Sequence, residues 1–210
     1  MGGVPLGLAA DLRDALGLVR AVETGTYRGG TTRQLAEMFP TVATIELSTE
    51  LHEAAVANLA GIAAITALQG DSGVILPTLT EPSIPTLWFL DGHWSGGPTA
   101  GQEAECPVLA EIGALAGGHR SDCILIDDAR LFAAPPPQPH DPRQWPTLLE
   151  VFDALRASQP EHHITVLADL VIAVPLSAKP IVDRFGQSLV AGDGSPASSG
   201  LRALLDRVKR

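Results

Sequence analysis

Three aspartates and a histidine stand where strand-like runs end. The run Thr86 to Leu90 leads into Asp91-Gly92-His93, and the run Cys123 to Ile126 leads into Asp127-Asp128. If these runs are neighbouring parallel strands, Asp91, Asp127 and Asp128 meet at one rim. Carboxylates that close repel one another unless a cation or protons intervene. A hard divalent ion such as Mg2+ suits all-oxygen ligands, and it would lower the pKa of a bound hydroxyl. The alternative is that Asp128 caps a following turn and only Asp91 acts. Asp91 or His93 fits the part of a proton acceptor, since the unperturbed pKa of histidine lies near neutrality. His93 would otherwise hold its loop or stack on a ligand. His162 and His163 read as surface residues. His140 lies in a Pro-rich stretch, and Trp94 and Trp145 fit either a pocket wall or the core.

A second group surrounds a glycine turn, Glu23-Thr24-Gly25-Thr26-Tyr27-Arg28-Gly29-Gly30-Thr31-Thr32. Glycine after a strand lets the backbone turn sharply and approach a ligand closely. The following helix start offers free N–H groups. A dinucleotide pyrophosphate wants G-x-G-x-x-G, and Tyr27 stands where its second glycine would be. What is present is E-x-G-x-x-x-G, with an acid that would be a poor neighbour for a pyrophosphate. The next strand ends Ile45-Glu46-Leu47-Ser48, where an acid can accept both ribose hydroxyls of an adenosine. The third ends Gly70-Asp71-Ser72.

The elements that would position these residues alternate in type, which signals parallel βαβ construction. Helices are expected at Ala9–Leu18, Thr31–Met38, Thr49–Leu59, Val74–Leu79, Gln102–Ala116 and Pro146–Ala157. Strands are expected at Val19–Glu23, Thr41–Glu46, Ala64–Gln69, Thr86–Leu90 and Cys123–Ile126. A closing hairpin joins Ile164–Leu167 to Val171–Val174 through a tight turn. Every motif above falls at the carboxyl end of a strand, where open α/β sheets bind their ligands. Residues 133–143 hold five prolines and read as an irregular loop or lid. Residues 192–200 read as a flexible loop of small residues.

Length and composition narrow the field. The 210 residues favour a single domain, residues 1–210. Hydrophobic residues make up 45% and aromatic residues only 4%, so the core must be mainly aliphatic, as in buried parallel sheets. The net charge of −10 and the absence of a basic patch argue against nucleic acid as a partner. No apolar run is long enough to span a bilayer, so no membrane partner is expected. Neither a secretory signal nor a disulfide framework is evident, with Cys106 and Cys123 the only cysteines, so a cytoplasmic location is expected. The sequence leaves homodimer formation open.

The E-x-G-x-x-x-G turn resembles the first motif of class I S-adenosylmethionine-dependent methyltransferases. Asp91-x-His93 followed by Ser95-Gly96-Gly97, together with Asp127-Asp128, is similar to the metal-dependent macrocin-type O-methyltransferases, which act on sugars and related hydroxyls. The resemblance runs from about Val22 to Val174. It implies an open, doubly wound, mostly parallel seven-stranded sheet, a Rossmann-like methyltransferase fold with a C-terminal antiparallel hairpin. It implies S-adenosylmethionine as cofactor, held by Glu23, Gly25, Thr26, Tyr27, Gly29, Thr31, Glu46, Ser48, Asp71, Ser72, Asp91 and Gly92, with Glu23 near the cofactor ammonium. It implies Asp91, Asp127 and Asp128 as ligands of Mg2+, Asp91 or His93 as catalytic base, and a small-molecule hydroxyl as acceptor. Three other readings compete: a non-catalytic S-adenosylmethionine-binding module, an NAD-dependent oxidoreductase and a metal-dependent hydrolase.

Overall fold

The computed structural model describes residues 3–94, 96, 101 and 104–191. The expected loop at 192–200 lies outside them. Eight α-helices and seven strands follow one another in these residues: α1 (Leu6–Leu16), β1 (Arg20–Thr24), α2 (Gly30–Ala36), β2 (Thr41–Glu46), α3 (Thr49–Asn58), β3 (Ile65–Gln69), α4 (Ser72–Leu79), β4 (Thr86–Leu90), α5 (Val108–Ala114), β5 (Cys123–Ile126), α6 (Ala129–Ala133), α7 (Leu148–Ser158), β6 (His162–Leu167), β7 (Leu170–Pro175) and α8 (Lys179–Ala191). The strands form one sheet in the order β3-β2-β1-β4-β5-β7-β6. The first five are parallel. β7 runs antiparallel to both β5 and β6. This is the expected doubly wound sheet with its C-terminal hairpin.

Both faces of the sheet are covered, which explains its near-continuous apolar strands. In β4, Leu87 and Phe89 pack on one side with Leu8, Leu12, Leu35 and Val182 from α1, α2 and α8. Trp88 and Leu90 pack on the other with Leu76, Ile112, Phe132 and Val151 from α4 to α7. Strand order reverses between β1 and β4, and such a switch point opens a crevice at the carboxyl edge.

Several boundaries differ from the sequence reading. Of the helix expected over 102–116, the described residues form only α5, because Pro107 lacks an N–H and disfavours helix at Cys106; residues 102 and 103 lie outside the described residues. Residues 133–143 are not wholly irregular: Ala133 closes α6, and Pro142–Gln144 forms a 3-10 turn opened by the Asp141 side chain. His162 and His163 belong to β6, and His162 Nε2 lies 2.8 Å from the Asp122 carbonyl. α7 starts two residues later than expected because Thr147 and Glu150 close a capping box. α6 and α8 have no counterpart in the sequence reading.

Candidate functional site

The switch point brings two chain segments into direct backbone contact. Gly25 follows β1 with φ of 80°. A Cβ placed on it would lie 2.1 Å from the Asp91 carbonyl oxygen. Only glycine fits there. Asp91 N–H in turn donates to the Thr24 hydroxyl at 3.1 Å, so the ends of β1 and β4 are tied together. Two residues after Gly25, Tyr27 has φ of 49°, a left-handed conformation that non-glycine residues adopt at a cost and that clusters at functional sites.

A cavity of about 480 Å³ opens above this junction. One half is walled by Gly25, Tyr27, Ile45, Glu46, Leu47, Leu51, Gly70, Asp71 and Ser72. Glu46 is its fixed point. Its carboxylate accepts the Tyr27 N–H at 2.8 Å and the Ser48 N–H at 2.9 Å, one on each oxygen. Both oxygens keep lone pairs for a vicinal diol, while Ile45, Leu47 and Leu51 offer apolar surface to a flat ring. Asp71 lines the cavity and also accepts the Gly73 N–H at the start of α4.

The other half is walled by Asp91, Gly92, His93, Asp127, Asp128 and Arg130. The pairing of Leu90 with Ile126 sets Asp91 beside Asp127. His93 stands between two of the acids: Nε2 is 2.9 Å from Asp128 Oδ2, and Nδ1 is 3.6 Å from Asp91 Oδ1. Arg130 holds the other Asp128 oxygen at 2.6 Å and also pairs with Asp169. Asp169 sits in the β6–β7 turn and accepts the Arg130 N–H at 2.8 Å, so the hairpin braces the rim.

Electrostatics follow from this crowding. Burial pushes Asp91 up to about 7, and the charges of Asp127, Asp128 and Glu23 add to the effect against the pull of His93. Burial lowers His93, but the hydrogen bond to Asp128 and the charges of Asp91, Asp128 and Asp127 outweigh it and raise the group. Asp127 is raised by burial. Asp128 is lowered, first by its hydrogen bond to His93. Asp91 is thus poised between its two protonation states near neutrality, while Asp128 is paired with the imidazole. Among the described residues, no three His, Cys, Asp or Glu side chains are grouped so as to hold a metal ion.

The predicted site residues divide accordingly. Gly25, Tyr27, Glu46, Asp71, Ser72, Asp91, Gly92, His93, Asp127 and Asp128 meet around the cavity. Glu23, Thr26, Gly29, Thr31 and Ser48 do not line it. Glu23 is 2% exposed and accepts from the Thr32 and Thr44 hydroxyls beneath the glycine turn. Thr26 meets the Thr44 hydroxyl at 2.6 Å. Gly29 precedes α2 and faces the Leu59 side chain. Ser48 caps α3 by accepting the Leu51 N–H. Thr31 lies on α2, half-buried. Glu23 and Thr26 thus brace the glycine turn from beneath.

Sequence reasoning missed Glu111. It is 1% exposed on α5, and a Cβ on Gly92 would lie 2.8 Å from its Oε1. Burial raises its pKa, against the influence of the nearby Ser72 and Thr24 hydroxyls. The signal was there: Glu111 occupies the buried stripe Val108, Glu111, Ile112, Leu115, where helical spacing predicts an apolar residue. It also missed Glu105, Arg130 and Asp169.

No family model and no curated protein matches the sequence. Solved structures do match in fold. A Staphylococcus aureus protein assigned as a caffeoyl-CoA O-methyltransferase is 16% identical, with 81% of this chain and 82% of that chain covered at a TM-score of 0.59. An O-methyltransferase from Bacillus cereus in complex with S-adenosylhomocysteine is 17% identical, with coverage of 80% and 79% and a TM-score of 0.56. The O-methyltransferase TomG from Streptomyces achromogenes, in complex with S-adenosylmethionine, is 17% identical, with coverage of 83% and 81% and a TM-score of 0.52. The chain therefore has the fold of the class I S-adenosylmethionine-dependent methyltransferases.

Proposed function

We propose that this protein is an enzyme that binds S-adenosylmethionine and transfers its methyl group to a hydroxyl of a small molecule, with divalent-metal assistance. One observation carries the reading: a single cavity at the sheet's switch point has a backbone-oriented carboxylate, Glu46, at one end and the Asp91, His93, Asp127 and Asp128 cluster at the other. The fold's solved relatives support the choice of cofactor.

The cofactor supplies an electrophilic methyl group on a sulfonium; the protein supplies binding, orientation and a proton acceptor. Glu46 accepts the ribose hydroxyls. Ile45, Leu47 and Leu51 cover one side of the nucleoside, and Asp71 and Ser72 meet its base edge. Gly25 lets the amino-acid end approach the β1–β4 junction. Glu23 acts on that end through the turn it supports. At the far end, Asp91 or His93 takes the proton of the acceptor hydroxyl. Three hard oxygen donors at one rim suit Mg2+ by donor type, and a cation would relieve the repulsion that adds to burial in lifting Asp91. Asp91, Asp127 and Asp128, not grouped for a metal as they stand, would have to draw together to hold the ion, which would acidify the acceptor hydroxyl.

The acidic balance supports a small-molecule acceptor rather than nucleic acid. Among the described residues no helix is long and apolar enough to cross a membrane. Two unpaired cysteines support a cytoplasmic site of action, and a homodimer is compatible with the reading. Isothermal titration of the folded chain with S-adenosylmethionine and S-adenosylhomocysteine tests it, with NAD as comparison. Binding of both adenosyl ligands and not NAD is expected. Absence of heat with either adenosyl ligand overturns the proposal.

A further inference from the structure

Glu105 lies outside the cavity wall, is 2% exposed, and its carboxylate meets groups of three other residues, Asp141, Trp145 and His140. Its Oε1 accepts the Asp141 N–H at 2.9 Å. Its Oε2 accepts the Trp145 indole N–H at 2.8 Å and meets His140 Nδ1 at 3.2 Å. Its backbone joins in. The Glu105 N–H donates to Gln144 Oε1 at 2.9 Å, and its carbonyl accepts the Trp94 N–H at 2.7 Å. One residue thus ties the far end of the Pro-rich stretch, His140 to Trp145, to the chain just after His93.

The rings pass this constraint inward. Trp145 meets His93 edge-on, with centroids 5.5 Å apart. His140 packs against both Trp94 at 4.6 Å and Trp145 at 5.9 Å. Trp145 therefore stands between the buried carboxylate and the imidazole at the cavity rim. We propose that Glu105 is a positioning residue: it clasps the His140–Trp145 stretch onto the His93 loop and, through Trp145, fixes the His93 ring between Asp91 and Asp128. The clasp stands on geometry alone; only its benefit to methyl transfer rests on the function proposed above.

A carboxylate suits the clasp because the Asp141 backbone and the Trp145 indole each present an N–H, one to each oxygen, and His140 in its Nδ1–H form presents a third. An ionised carboxylate can accept from all of them. An amide of the same shape has one acceptor oxygen, and its NH2 would face at least one donor head-on. Burial works against ionisation of Glu105, yet the Asp141 N–H, the indole and His140 together hold it below its ordinary value.

The test is heteronuclear NMR of the full 15N-labelled chain, comparing wild type with Glu105→Gln. The Trp145 indole and His93 ring signals are assigned by Trp145→Phe and His93→Gln. The expected wild-type indole proton is shifted downfield and protected from solvent exchange by at least about tenfold over a free indole. In Glu105→Gln it moves upfield, protection falls, and the His93 ring signals move with it. Gln144→Ala, which removes only the backbone anchor, shifts both signals in the same direction by less and keeps the experiment decisive if Glu105→Gln does not fold. S-adenosylhomocysteine affinity, measured in parallel, stays within twofold, because Glu46 and the glycine turn are untouched. An unchanged indole signal overturns the clasp. A moved indole with an unmoved His93 ring overturns the positioning role. Failure of the wild type to bind S-adenosylhomocysteine would defeat the proposed function while leaving these signals readable.

Discussion

Gly25→Ala tests the junction on which the cavity depends. Ordinary contact begins near 3.4 Å, whereas the new Cβ would sit 2.1 Å from the Asp91 carbonyl oxygen. The ends of β1 and β4 must then part by roughly 1.3 Å in an interior packed at crystal-like density. Left-handed backbone costs a non-glycine residue about 1–2 kcal/mol, and overpacking costs about 1–3 kcal/mol more. The two together give a loss of about 2–5 kcal/mol. For a chain of this size each kcal/mol moves Tm by about 2–4 °C, so a fall of about 4–20 °C is expected by scanning calorimetry. Adenosyl-ligand affinity falls with it, because the displaced strand ends form the floor of the cavity. Gly30→Ala is the matched control. Gly30 opens α2 without a positive φ, and a methyl group there would meet nothing within 4 Å. A gain of about 0.4–1 kcal/mol is expected there from reduced chain entropy. A Gly25→Ala protein with wild-type Tm and wild-type affinity for S-adenosylhomocysteine would refute the claim that the backbone contact shapes the site.

Other expectations follow from single groups. Glu46→Ala removes charge-assisted hydrogen bonds worth about 1.5–3 kcal/mol, so calorimetry should show S-adenosylhomocysteine affinity falling roughly 10- to 150-fold. Burial pushes Glu23 up to about 7 from 4.5. Between those values the folded chain holds more protons than the unfolded one, so this group's contribution to stability falls as pH rises through that window. Thermal unfolding from pH 5 to 8 should therefore show a weaker decline for Glu23→Gln than for the wild type. If the rim holds Mg2+ as proposed, Asp127→Asn and Asp128→Asn should each weaken its binding at least about tenfold by titration, with S-adenosylhomocysteine affinity within twofold. Thr147→Ala breaks the α7 capping box and should cost about 0.5–2 kcal/mol by denaturant unfolding, with ligand affinity unchanged.

What could be read from the sequence was whatever a single segment encodes. Apolar runs ending in acids identified β1, β2, β4 and β5 and aligned Glu46, Asp91 and Asp127 along one edge, because parallel strands present their carboxyl ends together. The split within the glycine turn was not legible. Glu23, Thr26 and Ser48 belong to the same motifs as Gly25 and Glu46. Yet Glu23 and Thr26 face inward to Thr32 and Thr44, and Ser48 caps a helix. Side-chain direction at a strand end depends on twist and on the next helix start, which no local pattern fixes. Arg130 and Asp169 are 39 residues apart in sequence, and Glu105 and Trp145 are 40 apart. Each pair meets only because β7 inserts beside β5 and because α7 packs on α5.

That contrast separates the two halves of the cavity physically. The Glu46 half is held by backbone donors, Tyr27 in the glycine turn after β1 and Ser48 just after β2, and by glycine at the switch point. Such contacts form once β1 and β2 pair, whatever the acceptor. The Asp91–His93–Asp128 half is held by side chains from distant segments: Glu105 through Trp145, Asp169 through Arg130, and Glu111 beneath Gly92. Each of those three is a carboxylate, and each acts on the rim from outside or below it. Burying or pairing so many acids is unfavourable unless their partners are in place, so the rim's geometry holds only while the whole network is intact. An adenosyl half built locally can tolerate change in the acceptor half. If the proposed methyl transfer holds, turnover assays of Glu105 or Asp169 variants should show lost activity before titration shows weaker S-adenosylhomocysteine binding.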